Sequence, residues 1–141
     1  MTTPEVHAST TLSLKGKTAL VTGSASGIGK RVAEVFADAG ANIVIADLKL
    51  ADAQATAAAI ALRGVKTLAV AMDVTDEAAV DAGFEQVHKA LGAVDILVSN
   101  AGIQIVAPIE DFKFADWKKL IAVHLDGGFL TSRAAVRQMI A

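Results

Sequence analysis

Short apolar runs of strand length alternate with stretches of helical period, no hairpin signal separates the runs, and a glycine-rich turn follows the first of them. Together these predict an α/β fold: a doubly wound parallel sheet of Rossmann type, of which the chain carries the N-terminal part, with about four strands and flanking helices.

The elements follow in order. Lys17–Thr22 (KTALVT) is a short apolar strand that runs into the turn GSASGIG. Ile28, Val32, Val35 and Phe36 then recur at helical spacing as far as Gly40, a natural stop. Asn42–Asp47 (NIVIAD) is the second strand, Ala51–Arg63 an Ala-rich helix ended by Gly64, and Val65–Met72 the third strand. Thr75 is positioned to cap the next helix, with Asp76 and Glu77 favourable to its dipole, and Val80, Phe84, Val87 and Leu91 mark its buried face. Val94–Val98 is the fourth strand; beyond Pro108 one long helical pattern carries Trp117, Leu120, Ile121 and Leu125 past Gly127 and Gly128 to the end. Strands apolar on both faces require helices on both sides, and right-handed crossovers set the order 3-2-1-4. A full sheet of this kind has about six strands. Stopping at four leaves Val94–Val98 as an apolar edge, and the chain ends in a helix with no capping glycine. The expectation is an N-terminal portion of something longer. Residues 1–13, polar and Thr-rich, read as a disordered tail, and residues 14–141 as a single domain.

Composition narrows the function. With 13 basic and 15 acidic side chains, the net charge of −2 offers no basic surface for nucleic acid or anionic membrane. The absence of cysteine removes disulfides, thiolate catalysis and cysteine-ligated zinc. His7, His88 and His124 have no ligand-like spacing, so no metal site is expected. No run of apolar residues is long enough to span a bilayer, and the default is a soluble, cytoplasmic protein.

The turn Thr22–Gly29 lies between the first strand and the first helix. Glycine at 23 permits a tight turn, glycine at 27 lets the backbone approach a pyrophosphate, and glycine at 29 lets helix and strand pack closely. The helix N-terminus offers N–H groups and partial positive charge to the phosphates. Gly23, Ser24, Ser26, Gly27, Ile28 and Gly29 are the candidate contacts; the alternative is a tight connection without a ligand. No Gly-Lys-Ser/Thr follows, which excludes an ATPase-type phosphate loop. Asp47 ends the second strand, 18 residues beyond Gly29, placed to accept from a ribose hydroxyl and to repel a 2′-phosphate. NAD is therefore expected as the cofactor in preference to NADP. Lys49 reads as a solvated charge, and Asp47 has the alternative of a turn-forming acid.

The TGxxxGxG spacing of Thr22–Gly29 resembles the short-chain dehydrogenase/reductase family, and three more motifs agree in order. Asp73-Val74 resembles the family's adenine-contacting pair. Asn100-Ala101-Gly102 matches its NAG motif, with Ser99 where an Asn usually precedes, and Trp117–Phe129 resembles its long fourth helix. The likeness covers nearly all of residues 14–141. Asn100–Gln104 and Ile109–Phe112 look most like D-3-hydroxybutyrate dehydrogenases, which implies that Gln104 helps hold a substrate carboxylate.

The resemblance implies hydride transfer between nicotinamide and a hydroxy acid or alcohol. In the family a tyrosine base, a lysine four residues on and a serine carry the proton chemistry. This chain has no tyrosine, so the Ser and Tyr-x-x-x-Lys are expected beyond residue 141, and the chain alone is expected to be inactive. The family's helical Asn, which holds a water in a proton relay, is His124 here. His124 either supports that relay through a ring nitrogen or bonds backbone near the fourth strand. Asp81, Glu85 and Lys89 read as an exposed ion-paired face, and Phe112 and Phe114 near Trp117 as core or interface. Phe129, Ala134, Ala135 and Met139 lie on a helix that in this family builds a subunit interface, which implies a homo-oligomer at full length. The competing expectations are an inactive dinucleotide-binding fragment or sensor and a methyltransferase-like domain; the latter is disfavoured by the turn spacing and the NAG motif.

Overall fold

A computed structural model describes residues 12–141; the greater part of the tail expected over residues 1–13 lies outside the described residues. Strands β1 (Thr18–Thr22), β2 (Asn42–Asp47), β3 (Thr67–Ala71) and β4 (Ile96–Val98) form one parallel sheet in the order β3-β2-β1-β4, as the crossover rule requires. In the register, Leu20 lies opposite Val44 on one side and Leu97 on the other, so β1 is central and wholly buried. Helices α1 (Gly27–Asp38), α2 (Leu50–Ala61) and α3 (Glu77–Leu91) connect the strands. Beyond β4, a 3-10 turn at Ile109–Asp111 precedes α4 (Phe114–Ile121) and α5 (Gly127–Met139).

Strand alternation divides the core between the two faces. Ala19, Val21, Ile43 and Ile45 point to α1 and α2, where Ala33, Ala37, Ala53 and Ile60 meet them. Leu20, Val44, Val70 and Met72 face the other way, against Val80, Phe84 and Val87 of α3 and Ala134 and Ala135 of α5. Gln138 joins α5 to this layer: its Oε1 accepts from the Val94 N–H at 2.9 Å and its Nε2 donates to the Phe84 carbonyl at 3.0 Å. Every β1–α and β2–α connection leaves from the same end of a parallel sheet, so the loops at the strand C-termini gather at one rim. That rim carries the candidate site.

Four local expectations are corrected or narrowed. The cap of α3 is Asp76, whose Oδ1 accepts from the N–H groups of Ala78 and Ala79, while Thr75 turns back to Asp73. Aspartate caps as well as threonine, and the one already held by Asp73 is not free to cap. The long final helix is divided, because a π-helical turn at Ala122–Asp126 joins α4 to α5. Of the residues expected as core or interface, Phe114 and Trp117 are exposed and so are not core, and Phe112 is half-buried. Ala134 and Ala135 pack on the chain's own sheet, so the outer face of α5 presents Phe129, Val136 and Met139. The edge strand matches expectation: Ile96, Leu97 and Val98 are half-buried. The ion pair of Glu85 with Lys89 is also present on the exposed face of α3. No described helix is long and apolar enough to cross a membrane.

Candidate functional site

The glycine turn joins the C-terminal end of β1 to the N-terminus of α1. Its backbone is anchored to neighbouring elements: the Gly23 N–H donates to the Ala46 carbonyl at 2.8 Å, the Ala25 N–H to Asp47 Oδ2 at 3.1 Å, and Thr56 Oγ1 to the Ala25 carbonyl at 2.7 Å. Ser24 is completely buried, and its Oγ donates inward to the Val21 carbonyl at 2.6 Å. Its hydroxyl therefore braces the turn and does not face a ligand. Ser26, by contrast, is exposed and extended, and its side chain makes no capping bond to α1.

Two glycines have opposite surroundings. A Cβ on Gly29 would lie 2.5 Å from Asn100 Nδ2 and 2.7 Å from the Gly23 carbonyl, so this glycine lets α1 approach the end of β4. Gly27 has φ +60°, and a Cβ there would meet no protein atom within 4 Å. The first turn of α1 carries no acid and no side-chain cap. Helical N–H groups at the first positions lack intrahelical acceptors, so this end presents donors and positive dipole to open space. Exposed Ile28 flanks it.

Asn100, just past β4, closes the floor. Its Nδ2 donates to the carbonyls of Thr22 at 3.0 Å and Gly23 at 3.2 Å. Thr22 Oγ1 accepts from the N–H groups of both Asn100 and Ala101 at 3.0 Å. Ala101 lies against Gly23, where an added Cβ would come 2.9 Å from its Cα. The Asn100 amide thus holds the turn in shape, with its donors used inside the protein. Thr22 and Thr56 are site residues that sequence reasoning missed. Thr56 falls on the buried stripe of α2 with Ala53, Ala57 and Ile60, a periodicity that marks it as inward-facing but not as a partner of the turn.

Asp47 ends β2 beside the turn, half-buried, with Oδ2 on the Ala25 N–H and Oδ1 on the Lys49 N–H at 3.3 Å. Two lone-pair sites of the carboxylate are occupied in this way, and a carboxylate has about four. A cleft of about 340 Å³ opens here, lined by Ser26, Asp47, Lys49, Asp52 and Thr56 among others. Its two carboxylates outnumber its one ammonium group, which favours hydroxyl donors over a second phosphate.

Past β3, Asp73 is exposed and its Oδ1 accepts from the Thr75 N–H at 2.9 Å and Thr75 Oγ1 at 2.7 Å. Val74 is buried, its Cγ2 lying 2.7 Å from the position of a Cβ on Gly127. The Val74 side chain therefore supports α5 instead of facing the rim. Gln104 is exposed on the loop after β4. His124, on the π-helical turn, places Nε2 at 2.8 Å from the Ile103 carbonyl oxygen, which is the backbone contact near the fourth strand that the sequence left open. His88 is exposed on α3, His7 lies outside the described residues, and no metal-binding group of three ligands occurs among the described residues.

Comparison with known proteins agrees with this arrangement. The family model for short chain dehydrogenase matches residues 17–141. Sorbitol dehydrogenase of Cereibacter sphaeroides is 42% identical over 128 residues, which are 91% of this chain and 49% of that protein. The 5-keto-D-gluconate 5-reductase of Escherichia coli strain K12 is 38% identical over 128 residues, 91% of this chain and 50% of that protein. Among solved structures, a gluconate 5-dehydrogenase from Burkholderia cenocepacia in complex with NADP and tartrate superposes with a TM-score of 0.87 at 41% identity, covering 92% of this chain and 51% of that one. A short-chain type dehydrogenase/reductase from Mycobacterium marinum gives a TM-score of 0.88 at 38% identity, covering 92% and 52%. The chain spans about half the length of the curated relatives it matches.

Proposed function

The chain belongs to the short-chain dehydrogenase family, and from that premise we propose that residues 14–141 are the nucleotide-binding part of an NAD-dependent oxidoreductase. The observation that carries this is the uncapped N-terminus of α1: open space at Gly27, no acid in the first turn, and the acid-lined cleft of Asp47 alongside. That donor set fits a dinucleotide. The N–H groups at Gly27, Ile28 and Gly29, with the Ser26 hydroxyl, would hold the pyrophosphate, and Asp47 would accept from the adenosine ribose. Asp73 and the backbone of Val74 would border the adenine, and the Ala101–Gly102 backbone the inner ribose. The chemistry supplied by the bound group is hydride exchange with a secondary alcohol or ketone.

The chain's own residues bind and orient. Thr22 and Asn100 keep the turn fixed, so the N–H groups need no reorganisation when an anion arrives. No tyrosine is present to serve as base. In this reading the family's Ser and Tyr-x-x-x-Lys lie C-terminal to residue 141, and the 141-residue chain binds cofactor without turnover. The substrate proposed from Gln104 is 3-hydroxybutyrate or acetoacetate, with the exposed amide meeting the carboxylate. A second reading, a polyol or keto-gluconate substrate, is favoured by relatives that are named sorbitol, D-threitol and 5-keto-D-gluconate enzymes. The whole enzyme is proposed to be cytoplasmic and homo-oligomeric.

Titration by nicotinamide fluorescence tests the cofactor assignment. NADH should bind more tightly than NADPH, and Asp47→Ala should narrow the gap by about 1–3 kcal/mol, the worth of lost hydrogen bonds to a charged group. Equal affinity for the two cofactors in the unsubstituted chain would refute the role of Asp47.

A further inference from the structure

His124 sits in the π-helical turn Ala122–Asp126, a widened turn of a type that gathers at functional positions when it interrupts α-helices. The turn projects its imidazole across to the loop that leaves β4. Nε2 lies 2.8 Å from the Ile103 carbonyl oxygen and 3.3 Å from the Ile103 nitrogen. A single nitrogen cannot donate to the one and accept from the other at the same time. The shorter contact selects a ring protonated at Nε2, which donates to the carbonyl.

The ring also occupies the space over Gly102. A Cβ at that position would come 2.8 Å from Cε1 and 3.4 Å from Nδ1, closer than a methyl group and an aromatic ring tolerate. Gly102, Ile103 and His124 therefore fit together as one unit: the missing side chain at 102 admits the ring, and the ring fastens the next residue. Gln104 follows directly.

We propose that His124 is a positioning residue, a latch whose imidazole rests on Gly102 and bonds the Ile103 backbone, fixing the start of the segment that carries Gln104. The nitrogen facing Ile103 is occupied in this arrangement and does not shuttle protons. The consequence for substrate placement rests on the role proposed above for Gln104; the latch itself does not.

The test uses the full chain labelled with nitrogen-15. The imidazole signals of His124 should show Nε2 protonated. In His124→Phe, which keeps a ring without a donor, the backbone order parameters of Ile103 and Gln104 should fall from about 0.85 to below about 0.6. His124→Gln, which restores an amide donor at similar reach, should recover the rigid value. Gly102→Ala should loosen the same residues, and should add nothing in a His124→Ala background. A rigid loop in His124→Phe overturns the proposal, as does the tautomer protonated only at Nδ1, a measurement that needs no variant to fold. NADH titration of the same samples reports separately on the nucleotide site. Failure to bind NADH with a loop that responds as described would sink the proposed function and leave the latch standing.

Discussion

Replacing Gly29 by alanine probes the packing that shapes the turn. The position is helical with ordinary φ, so alanine adds no backbone strain and would gain up to about 1 kcal/mol in helix propensity. Sterics oppose this. The new methyl would lie 2.5 Å from Asn100 Nδ2, 2.7 Å from the Gly23 carbonyl oxygen and 3.0 Å from Ser24 Cα, and two of those three atoms are backbone. Overpacking of this kind costs about 1–3 kcal/mol. Displacing the Asn100 amide also breaks its bonds to the Thr22 and Gly23 carbonyls, at about 1 kcal/mol each. The net expectation is a loss of about 2–4 kcal/mol. Urea denaturation followed by circular dichroism measures it, in a cycle with Asn100→Ala. Since Asn100→Ala removes both the hydrogen bonds and the nearest clash, the double variant should be less destabilised than the sum of the singles by about 1–2 kcal/mol. A Gly29→Ala chain within about 0.5 kcal/mol of the parent, or strict additivity, would refute the reasoning.

Thr22→Val, nearly isosteric, leaves the N–H groups of Asn100 and Ala101 without their shared acceptor; at about 1–3 kcal/mol for each unmet donor it should cost about 2–6 kcal/mol in the same assay. The Glu85 carboxyl is held below the usual carboxylate range, first by the hydrogen bond from Lys89 and then by its charge. A depressed carboxyl supports the fold above its unfolded pKa and loses that support as pH falls through the lowered folded value. In Lys89→Ala the Glu85 titration, followed by carbon-13 shifts, should move up toward the ordinary range, and the movement should shrink in high salt because the pair is exposed.

The strands were legible because a central parallel strand must be apolar on both faces, and β1 and β2 have the sequence that requirement selects. The three glycines fixed the location of the site, since each opening the turn needs excludes a side chain. Choices between chemically equivalent neighbours were not legible. Thr75 and Asp76 both cap helices well, and only the bond of Thr75 to Asp73 separates them. Spacing places Ser24 and Asn100 in the site, yet says nothing of which way a hydroxyl or amide turns, and both turn inward. The π-helical turn is invisible for a related reason. The apolar residues Trp117, Leu120, Ile121 and Leu125 recur acceptably in a continuous α-helix, and the widening shows only in three dimensions.

The central claim is that the open space at Gly27 is a phosphate site. NADH binding to Gly27→Ala, measured beside Gly64→Ala, tests it most directly. Both glycines have positive φ, +60° and +85°, and neither has a protein atom within 4 Å of an added Cβ, so both variants carry a similar strain of about 1–2 kcal/mol. They differ in place: Gly64 follows α2 at the opposite end of the sheet from the turn. The account predicts that Gly64→Ala binds NADH as the parent does while Gly27→Ala, equally folded, loses binding. Undiminished NADH binding by Gly27→Ala would contradict it.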